Sequence, residues 1–293
     1  MSVTVVGSIA YDRVKTPFGE RERMLGGAAT HFALAASFFD QVRVVGPVGD
    51  DFADLETLKL RGTNVDDVEH VPGGKTFFWH GEYGWDLNSR DTHDTQLGVF
   101  ETFEPKLGEL SKDAEILFLA NIQPDVQRAV REQSRASFVA MDSMNLWIEI
   151  ARDSLVQTIA GVDCVILNDA ELRQLTGKPN LFTAAREVLA MGPSVVVAKQ
   201  GEYGAALVTE SEFFSLPAYP LETVVDPTGA GDTFAGGFVG HLARRPGDYR
   251  TAMAYGTALA SFNVEEFGTE RVARLTAAEI DRRIEELRAI TRL

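Results

Sequence analysis

Cysteine is almost absent from the chain. Cys164 is the only one in 293 residues, so no internal disulfide can form, and its place in the apolar run 162–167 predicts a buried, reduced thiol. Residues 1–9 lack the basic region and the apolar length of a signal peptide. No apolar stretch reaches membrane-spanning length either. From these absences we expect a cytoplasmic protein.

Positive charge is also scarce. The 28 Lys and Arg residues are outnumbered by 43 Asp and Glu residues, which gives a net charge of −15. Binding to nucleic acid or to an anionic membrane requires neutralisation of phosphate groups. We therefore expect neither of them as a partner. The five histidines show no metal-ligand spacing, and internal repeats and low-complexity segments are missing.

Short β-branched and apolar runs are plentiful, and they alternate with segments of helical periodicity. These runs occur at 2–6, 42–48, 116–119, 138–141, 163–167 and 195–198. The alternation predicts an α/β fold around a buried, mostly parallel sheet. The polar stretch 13–24 and the aromatic-rich stretch 68–103 depart from this pattern. Together they could form a small β-sheet lid over a cleft.

The most informative stretch is Asp226-Pro227-Thr228-Gly229-Ala230-Gly231-Asp232. It follows the β-branched run 223–225 and leads into a helical segment, so we predict a strand, a glycine-rich turn and a helix. Free amides at such a turn, together with the helix dipole, form an anion site. A carboxylate beside a bound phosphate fits proton removal from an attacking hydroxyl. The alternative is a tight turn with Asp232 as an N-terminal charge.

Two other nucleotide motifs fail on single residues. A dinucleotide fingerprint requires a third glycine where this chain has Phe234, which disfavours a dinucleotide-dependent oxidoreductase. Gly74-Lys75-Thr76 has the tail of a P-loop, but Glu69 occupies the position of the required first glycine.

The stretch 226–232 resembles the C-terminal signature of the ribokinase-like (PfkB) carbohydrate and nucleoside kinases. The pair Gly26-Gly27 before a helix is similar to the N-terminal signature of that family. The resemblance implies a single three-layer α/β/α domain over 1–293, with a mostly parallel central sheet and a lid built from about 11–25 and 68–103. It also implies ATP and Mg²⁺, and it leaves a monovalent cation open.

The resemblance also assigns the catalytic and acceptor-binding residues. Asp232 would be the base, and the amides of Gly229, Ala230 and Gly231 would form the anion hole. Acceptor contacts would come from Asp12, Gly26, Gly27 and His31. Position alone adds Asn121, Asp142 and Asn145, which follow strands at the edge where ligands gather in α/β sheets.

The nucleotide side depends on the Asn168-x-x-Glu171 spacing. Taken alone, it favours a helix capping box, whereas in the family it implies a role at Mg²⁺ and the ATP phosphates. Glu171 is therefore the metal candidate, since Mg²⁺ prefers oxygen ligands and keeps several waters. The other nucleotide-binding candidates are Lys199, Gly201, Gly204, Thr228, Gly229, Gly231, Asn263 and Gly268. For Lys199, an ordinary surface lysine is the alternative.

The sequence thus predicts an ATP-dependent kinase that phosphorylates a hydroxyl of a sugar or of a nucleoside ribose. Ala10, Ala28 and His31 stand where sugar-phosphorylating members often have other polar residues, which makes free ribose a poorer acceptor. The choice between sugar and nucleoside stays open. So does a non-catalytic sugar- or nucleotide-sensing protein with the same fold. The lid aromatics could stack on a base or pair two lids in a homodimer.

Overall fold

The computed structural model describes residues 1–292, which form a nine-stranded sheet and a separate four-stranded sheet. In spatial order the large sheet contains β13 (Phe213–Leu216), β12 (Ala205–Val208), β11 (Val195–Lys199), β10 (Cys164–Asn168), β9 (Phe138–Met141), β8 (Ile116–Leu119), β1 (Ser2–Val6), β4 (Gln41–Val48) and β5 (Val68–His70). Neighbours from β11 to β5 run parallel, and only β12 and β13 add antiparallel pairs among these strands.

Helices cover both faces of this sheet. One layer contains α1 (Ala28–Ala36), α2 (Leu55–Leu58), α9 (Ala230–Arg244), α10 (Tyr249–Asn263), α11 (Glu270–Ala273) and α12 (Ala277–Ile290). The other contains α3 (Glu109–Lys112), α4 (Pro124–Gln133), α5 (Asn145–Ile150), α6 (Arg152–Ile159), α7 (Asp169–Thr176) and α8 (Leu181–Leu189). None of these helices within 1–292 is long and apolar enough to cross a membrane.

The core consists of two apolar clusters, one on each face of the large sheet. Successive side chains point to opposite faces, so in β11 Val195 and Val197 join one apolar cluster, and Val196 and Ala198 join the other. A strand buried on both faces reads as a continuous apolar run, which is why these strands were recognisable in the sequence. Cys164 is buried and unpaired, as expected.

The small sheet contains β3 (Gly19–Gly26), β2 (Ala10–Thr16), β6 (Phe77–Tyr83) and β7 (Arg90–Gln96), in that spatial order. Val14 and Tyr83 of this sheet pack with Phe267, which joins it to the loop before α11. The expected start of the second lid segment at residue 68 is wrong. Because β5 pairs in parallel with β4, residues 68–70 belong to the large sheet.

The strand predicted at 223–225 is also absent from the described structure. The amide of Val225 donates to the carbonyl of Val264 at 2.8 Å, at the end of α10. The partner is therefore a helix terminus and not a neighbouring strand. The predicted helix after the turn is present as α9.

Candidate active site

Four polar side chains lie along one edge of the large sheet. Asn121 and Asp142 follow β8 and β9, whose last residues are registered neighbours. Asn168 and Lys199 end β10 and β11 and pair with each other. Since the carboxyl ends of parallel strands share one edge, the fold brings these groups together, as the sequence predicted.

The glycine-rich turn lies at this edge and begins α9. Gly229 is the N-cap with φ of 73°, a left-handed conformation that favours glycine. Within 1–292, the amides of Gly229 and Gly231 donate to no backbone carbonyl. The amide of Ala230 does donate, to the Pro227 carbonyl at 3.2 Å. This bond closes the turn before the helix, so the Ala230 amide already has an acceptor inside the protein, and its place in the anion hole stays a prediction.

Asp232 occupies the first turn of α9 and is partly buried. Burial, and then the nearby Asp142 carboxylate, raise the pKa of Asp232 to about 7. Lys199 lies close by: its Nζ is 2.7 Å from Asp142 Oδ2, and it would be 3.0 Å from a Cβ at Gly231. Burial works to lower the pKa of Lys199, but Asp142 and Glu171 outweigh it and raise that pKa. Lys199 thus stays a cation beside the turn.

Asn168 and Glu171 form the capping box of α7. Asn168 Oδ1 accepts from the amide of Glu171, and Glu171 Oε2 accepts from the amide of Asn168, each at 2.8 Å. Burial, and then Asp142, raise the pKa of Glu171 to about 7. The capping box is therefore present, and it holds the carboxylate of Glu171, the candidate metal ligand, in a fixed orientation.

Mg²⁺ fits this site only as an ion shared with a ligand. In the described chain, no group of three or more His, Cys, Asp or Glu side chains could hold a metal ion alone. Burial and the Asp142 carboxylate raise the pKa values of Glu171 and Asp232. A bound cation would offset this repulsion between carboxylates. Mg²⁺ usually binds through one or two carboxylates plus phosphates and water, which agrees with this arrangement.

The expected acceptor side centres on Asp12. Its side chain is buried, and burial, followed by repulsion from Asp226 and Asp232, raises its pKa to about 8. A Cβ at Gly26 would come within 2.0 Å of Asp12 Oδ2, so only glycine leaves room for the carboxylate. Gly27, with φ of 94°, packs on the backbone of Ser8. Both positions thus require glycine, because a side chain would clash with Asp12 at Gly26 and with the Ser8 backbone at Gly27.

Several expected ligand contacts are engaged inside the protein instead. His31 is 2% exposed and Asn263 is 0% exposed, and both contact the turn from its buried side. The amide of Gly268 donates to Asp226 Oδ2 at 2.9 Å. Asp142 pairs with Lys199, whose Nζ lies beside the glycine-rich turn. These groups therefore make contacts inside the protein, and their expected contacts with substrate or nucleotide stay predictions.

The remaining candidates lie around the same edge. Asn121 Oδ1 accepts from Trp147 Nε1 at 3.0 Å, so part of its hydrogen-bonding capacity is already used. Asn145 begins α5 and is exposed. Gly201 and Gly204 form the turn between β11 and β12, with φ of 55° and 101°.

Sequence reasoning did not foresee the contacts that three residues make at the site. Asp226 accepts from the amides of Thr228 and Gly268, both at 2.9 Å, and so ties the turn to the loop before α11. Tyr83 Oη accepts from Thr228 Oγ1 at 3.3 Å. The guanidinium of Arg90 on β7 opposes part of the rise in the pKa of Asp232 that burial causes. Asp226 lay within the motif, and Tyr83 was among the lid aromatics expected to stack on an acceptor, whereas Arg90 carried no signal.

Comparison with known proteins gives consistent results. The model of the pfkB family of carbohydrate kinases matches residues 102–274. A cytidine kinase from Thermococcus kodakarensis is 32% identical over 256 residues, which cover 83% of this chain and 89% of that protein. The structure of a Burkholderia thailandensis nucleoside kinase in complex with inosine has a TM-score of 0.84 at 21% identity, with 97% of each chain covered.

A structure described as a ribokinase II from E. coli, in complex with ATP and Mg²⁺, has a TM-score of 0.82 at 20% identity. It covers 97% of this chain and 99% of that one. These likenesses confirm the predicted ribokinase-like three-layer fold with its mostly parallel sheet and small β-sheet.

The family match covers more than half of the chain, and the similarity to the cytidine kinase extends over most of its length. The predicted phosphotransferase activity towards an alcohol group is confirmed by these relatives. The chain belongs to the PfkB family of carbohydrate kinases and phosphorylates a hydroxyl group of a sugar or a nucleoside.

Proposed function

We propose that the chain is an ATP-dependent nucleoside kinase, which transfers the γ-phosphoryl group to a ribose hydroxyl of a nucleoside. The 32% identity to a cytidine kinase supports a nucleoside acceptor. The shared fold with a nucleoside kinase that binds inosine supports it as well. Ala10 and Ala28 offer no polar side chain to the hydroxyls of a small free sugar, which favours a larger acceptor.

The observation that carries the proposal is Asp232 in the first turn of α9, next to amides without a protein acceptor. A carboxyl whose pKa burial and Asp142 raise to about 7 is ionised for half of the molecules at neutral pH, and it is a stronger base than an ordinary aspartate. Asp232 accepts the proton of the acceptor hydroxyl as that oxygen attacks the γ-phosphorus. The electron pair of the broken P–O bond stays with ADP.

The phosphoryl group in transit is held by the protein from three sides. The amides of Gly229 and Gly231 and the positive end of α9 face its oxygens. Lys199 adds a cation from the sheet edge, and Arg90 adds another from the small sheet. Glu171, fixed by Asn168, would hold Mg²⁺, which shields the phosphate charges when bound. Gly201 and Gly204 are assigned to the nucleotide, because their turn adjoins Lys199.

On the acceptor side, Asp12 is assigned to the ribose hydroxyls. With its pKa raised to about 8 by burial and by Asp226 and Asp232, it is protonated at neutral pH and can both donate to and accept from a hydroxyl. The small sheet acts as a lid that excludes water, with Tyr83 and Arg90 as its inner contacts. A homodimer through this sheet and dependence on a monovalent cation stay predictions.

The test is acceptor-dependent formation of ADP. We would measure ADP release with ATP, Mg²⁺ and a panel of cytidine, uridine, adenosine, inosine, guanosine, ribose and 2-deoxyribose. Thermal unfolding with each acceptor and a non-hydrolysable ATP analogue gives an independent measure, because a true acceptor stabilises the folded state by mass action. We expect the largest kcat/KM and the largest rise in Tm with a nucleoside. Turnover of a free sugar alone would contradict the nucleoside assignment, and ADP release with no acceptor dependence would contradict the kinase assignment.

A further inference from the structure

A buried chain of hydrogen bonds lies behind the glycine-rich turn. Asn263, the last residue of α10, is its centre and is fully buried. Its Nδ2 donates to the Thr228 carbonyl at 2.7 Å. Its Oδ1 accepts from Thr233 Oγ1 at 3.0 Å and lies 3.1 Å from Nδ1 of His31. Side chains of α1 and α9 thus converge on Asn263, which in turn holds one carbonyl of the turn.

These contacts fix the protonation of His31. A backbone carbonyl can only accept, so Asn263 must present its Nδ2 to Thr228 and its Oδ1 to His31. His31 must then carry its hydrogen on Nδ1. Burial lowers the pKa of His31 to about 4, so the ring is neutral at physiological pH. Its Nε2 is therefore a bare acceptor, and it is buried without a partner within 1–292.

The same imidazole supports the turn a second time by packing. A Cβ built on Gly229 would lie 2.3 Å from Cε1, 2.4 Å from Cδ2 and 2.4 Å from Cγ of His31. Similar distances to three ring atoms mean that the Cα of Gly229 rests on the face of the ring. His31 thus contacts the turn directly at Gly229 and indirectly, through Asn263, at Thr228.

Both contacts control one peptide unit. The peptide between Thr228 and Gly229 is planar, and in a trans peptide the C=O and N–H groups point in opposite directions. Because Asn263 holds the Thr228 carbonyl in the interior, the amide of Gly229 must point outward to the site. We propose that His31 is a positioning residue for phosphoryl transfer, which sets the direction of the Gly229 amide without contacting either substrate. This inference rests on the proposed function of the turn as an anion hole.

The first test is the tautomer of His31, read by NMR of protein with ¹⁵N-labelled histidine. Comparison with His31→Asn assigns the resonance. We expect a neutral ring protonated at Nδ1 from pH 5.5 to 8.5. An Nε2–H tautomer, or titration of the ring within this range, would overturn the proposal. This measurement needs no acceptor, so an inactive wild-type protein would count against the proposed function and not against the hydrogen-bond chain.

The second test separates positioning from folding by a set of variants on α1. His31→Phe keeps an aromatic face under Gly229 but removes the donor to Asn263. His31→Asn keeps a donor near the Nδ1 position. Thr30→Val is the matched control, since Thr30 is equally buried on the same helix and its hydroxyl has no partner within 1–292.

For His31→Phe we expect kcat to fall at least about tenfold, with the KM values for ATP and nucleoside within about twofold, because only the transition-state contact loses its geometry. His31→Asn should recover part of that loss, and Thr30→Val should retain the wild-type kcat. Equal kcat for His31→Phe and Thr30→Val, at comparable Tm, would overturn the proposal. A loss that appears only in KM would overturn it as well.

Discussion

Two helices begin at the active site with an acid at the same position of the first turn. Glu171 is the third residue of α7, and Asp232 is the third residue of α9. Burial and the shared neighbour Asp142 raise the pKa of each to about 7. Their N-cap residues differ. In α7 Asn168 and Glu171 satisfy each other's amides, whereas in α9 the N-cap is Gly229 and no side chain of the described residues caps the helix.

The comparison shows that the first turn of a helix, with an acid at its third residue, can serve either a structural or a ligand-binding role. A helix leaves its first amides without partners, and a capping side chain consumes some of them. At α7 the capping box uses them up and fixes the carboxylate of Glu171, which suits a structural or metal-binding role. At α9 the glycine leaves amides free for an external anion and leaves Asp232 without a capping partner. The N-cap residue therefore separates a closed helix start from an open one.

The largest expected effect comes from neutralising the acid at the open helix. Asp232→Asn should lower kcat at least about a thousandfold, since the amide cannot accept the acceptor's proton. The KM values for both substrates should change little. Asp169→Asn at the first residue of α7 is the control, because it also removes a first-turn carboxylate and should leave kcat within about twofold. Turnover by Asp232→Asn close to that of the wild type would remove Asp232 from the mechanism.

The second prediction tests whether Gly229 is required for more than its backbone conformation. Gly229→Ala would place a methyl group 2.3 Å from the ring of His31, at φ of 73°. Gly177→Ala is the control: Gly177, at the C-cap of α7, has φ of 68°, and a Cβ added there would have no atom of residues 1–292 within 4 Å. Both variants should lose about 1–2 kcal/mol of unfolding free energy from backbone strain, and Gly229→Ala should lose more, because its methyl group meets the buried ring of His31. Only Gly229→Ala should also lose about a hundredfold in kcat, because its anion hole is displaced. Equal kcat in the two variants would contradict this.

The open helix start was predictable because its signal is local. Glycine at 229 and 231, a carboxylate at 232 and helical periodicity afterwards are contiguous in the chain, so short-range rules were sufficient. The strand ends that supply Asp142, Asn168 and Lys199 were predictable for a related reason. Apolar runs mark buried parallel strands, and parallel strands deliver their next residues to one edge.

What the sequence could not show depends mostly on contacts between residues distant in sequence. His31 and Asn263 looked like ligand contacts, because spacing does not show that they meet across 232 positions behind the turn. Arg90 lies on β7, where every residue is exposed, so the strand has no apolar alternation to reveal which side faces the site. For Ala230 the reason is local: its amide donates to the Pro227 carbonyl, a detail of turn geometry that residue types do not encode.

The third prediction concerns pH. Asp232 must be ionised to accept a proton, so its raised pKa of about 7, caused by burial and then by Asp142, should give kcat/KM an acid limb with a midpoint near pH 7. Below it the rate should fall about tenfold per pH unit. Because Glu171 has a similarly raised pKa, the midpoint belongs to the pair. Asp142→Asn should move the limb to lower pH, whereas Asp125→Asn on α4 should not. An unchanged midpoint in Asp142→Asn would contradict the coupling.

The smallest expected effect comes from opening the closed helix start. Asn168→Ala removes the cap of α7, and Thr276→Ala removes the equivalent capping box of α12, which lies away from the site. Each should lower the unfolding free energy by about 1 kcal/mol, measured by thermal or urea unfolding.

The two variants should differ in the Mg²⁺ concentration that their activity requires. Without Asn168, Glu171 loses the geometry that holds it, so the Mg²⁺ concentration for half-maximal rate should rise several-fold, whereas Thr276→Ala should keep the wild-type value. If both variants required the same Mg²⁺ concentration, the capping box of α7 would serve the helix alone, and Glu171 would lose its assignment as the metal ligand.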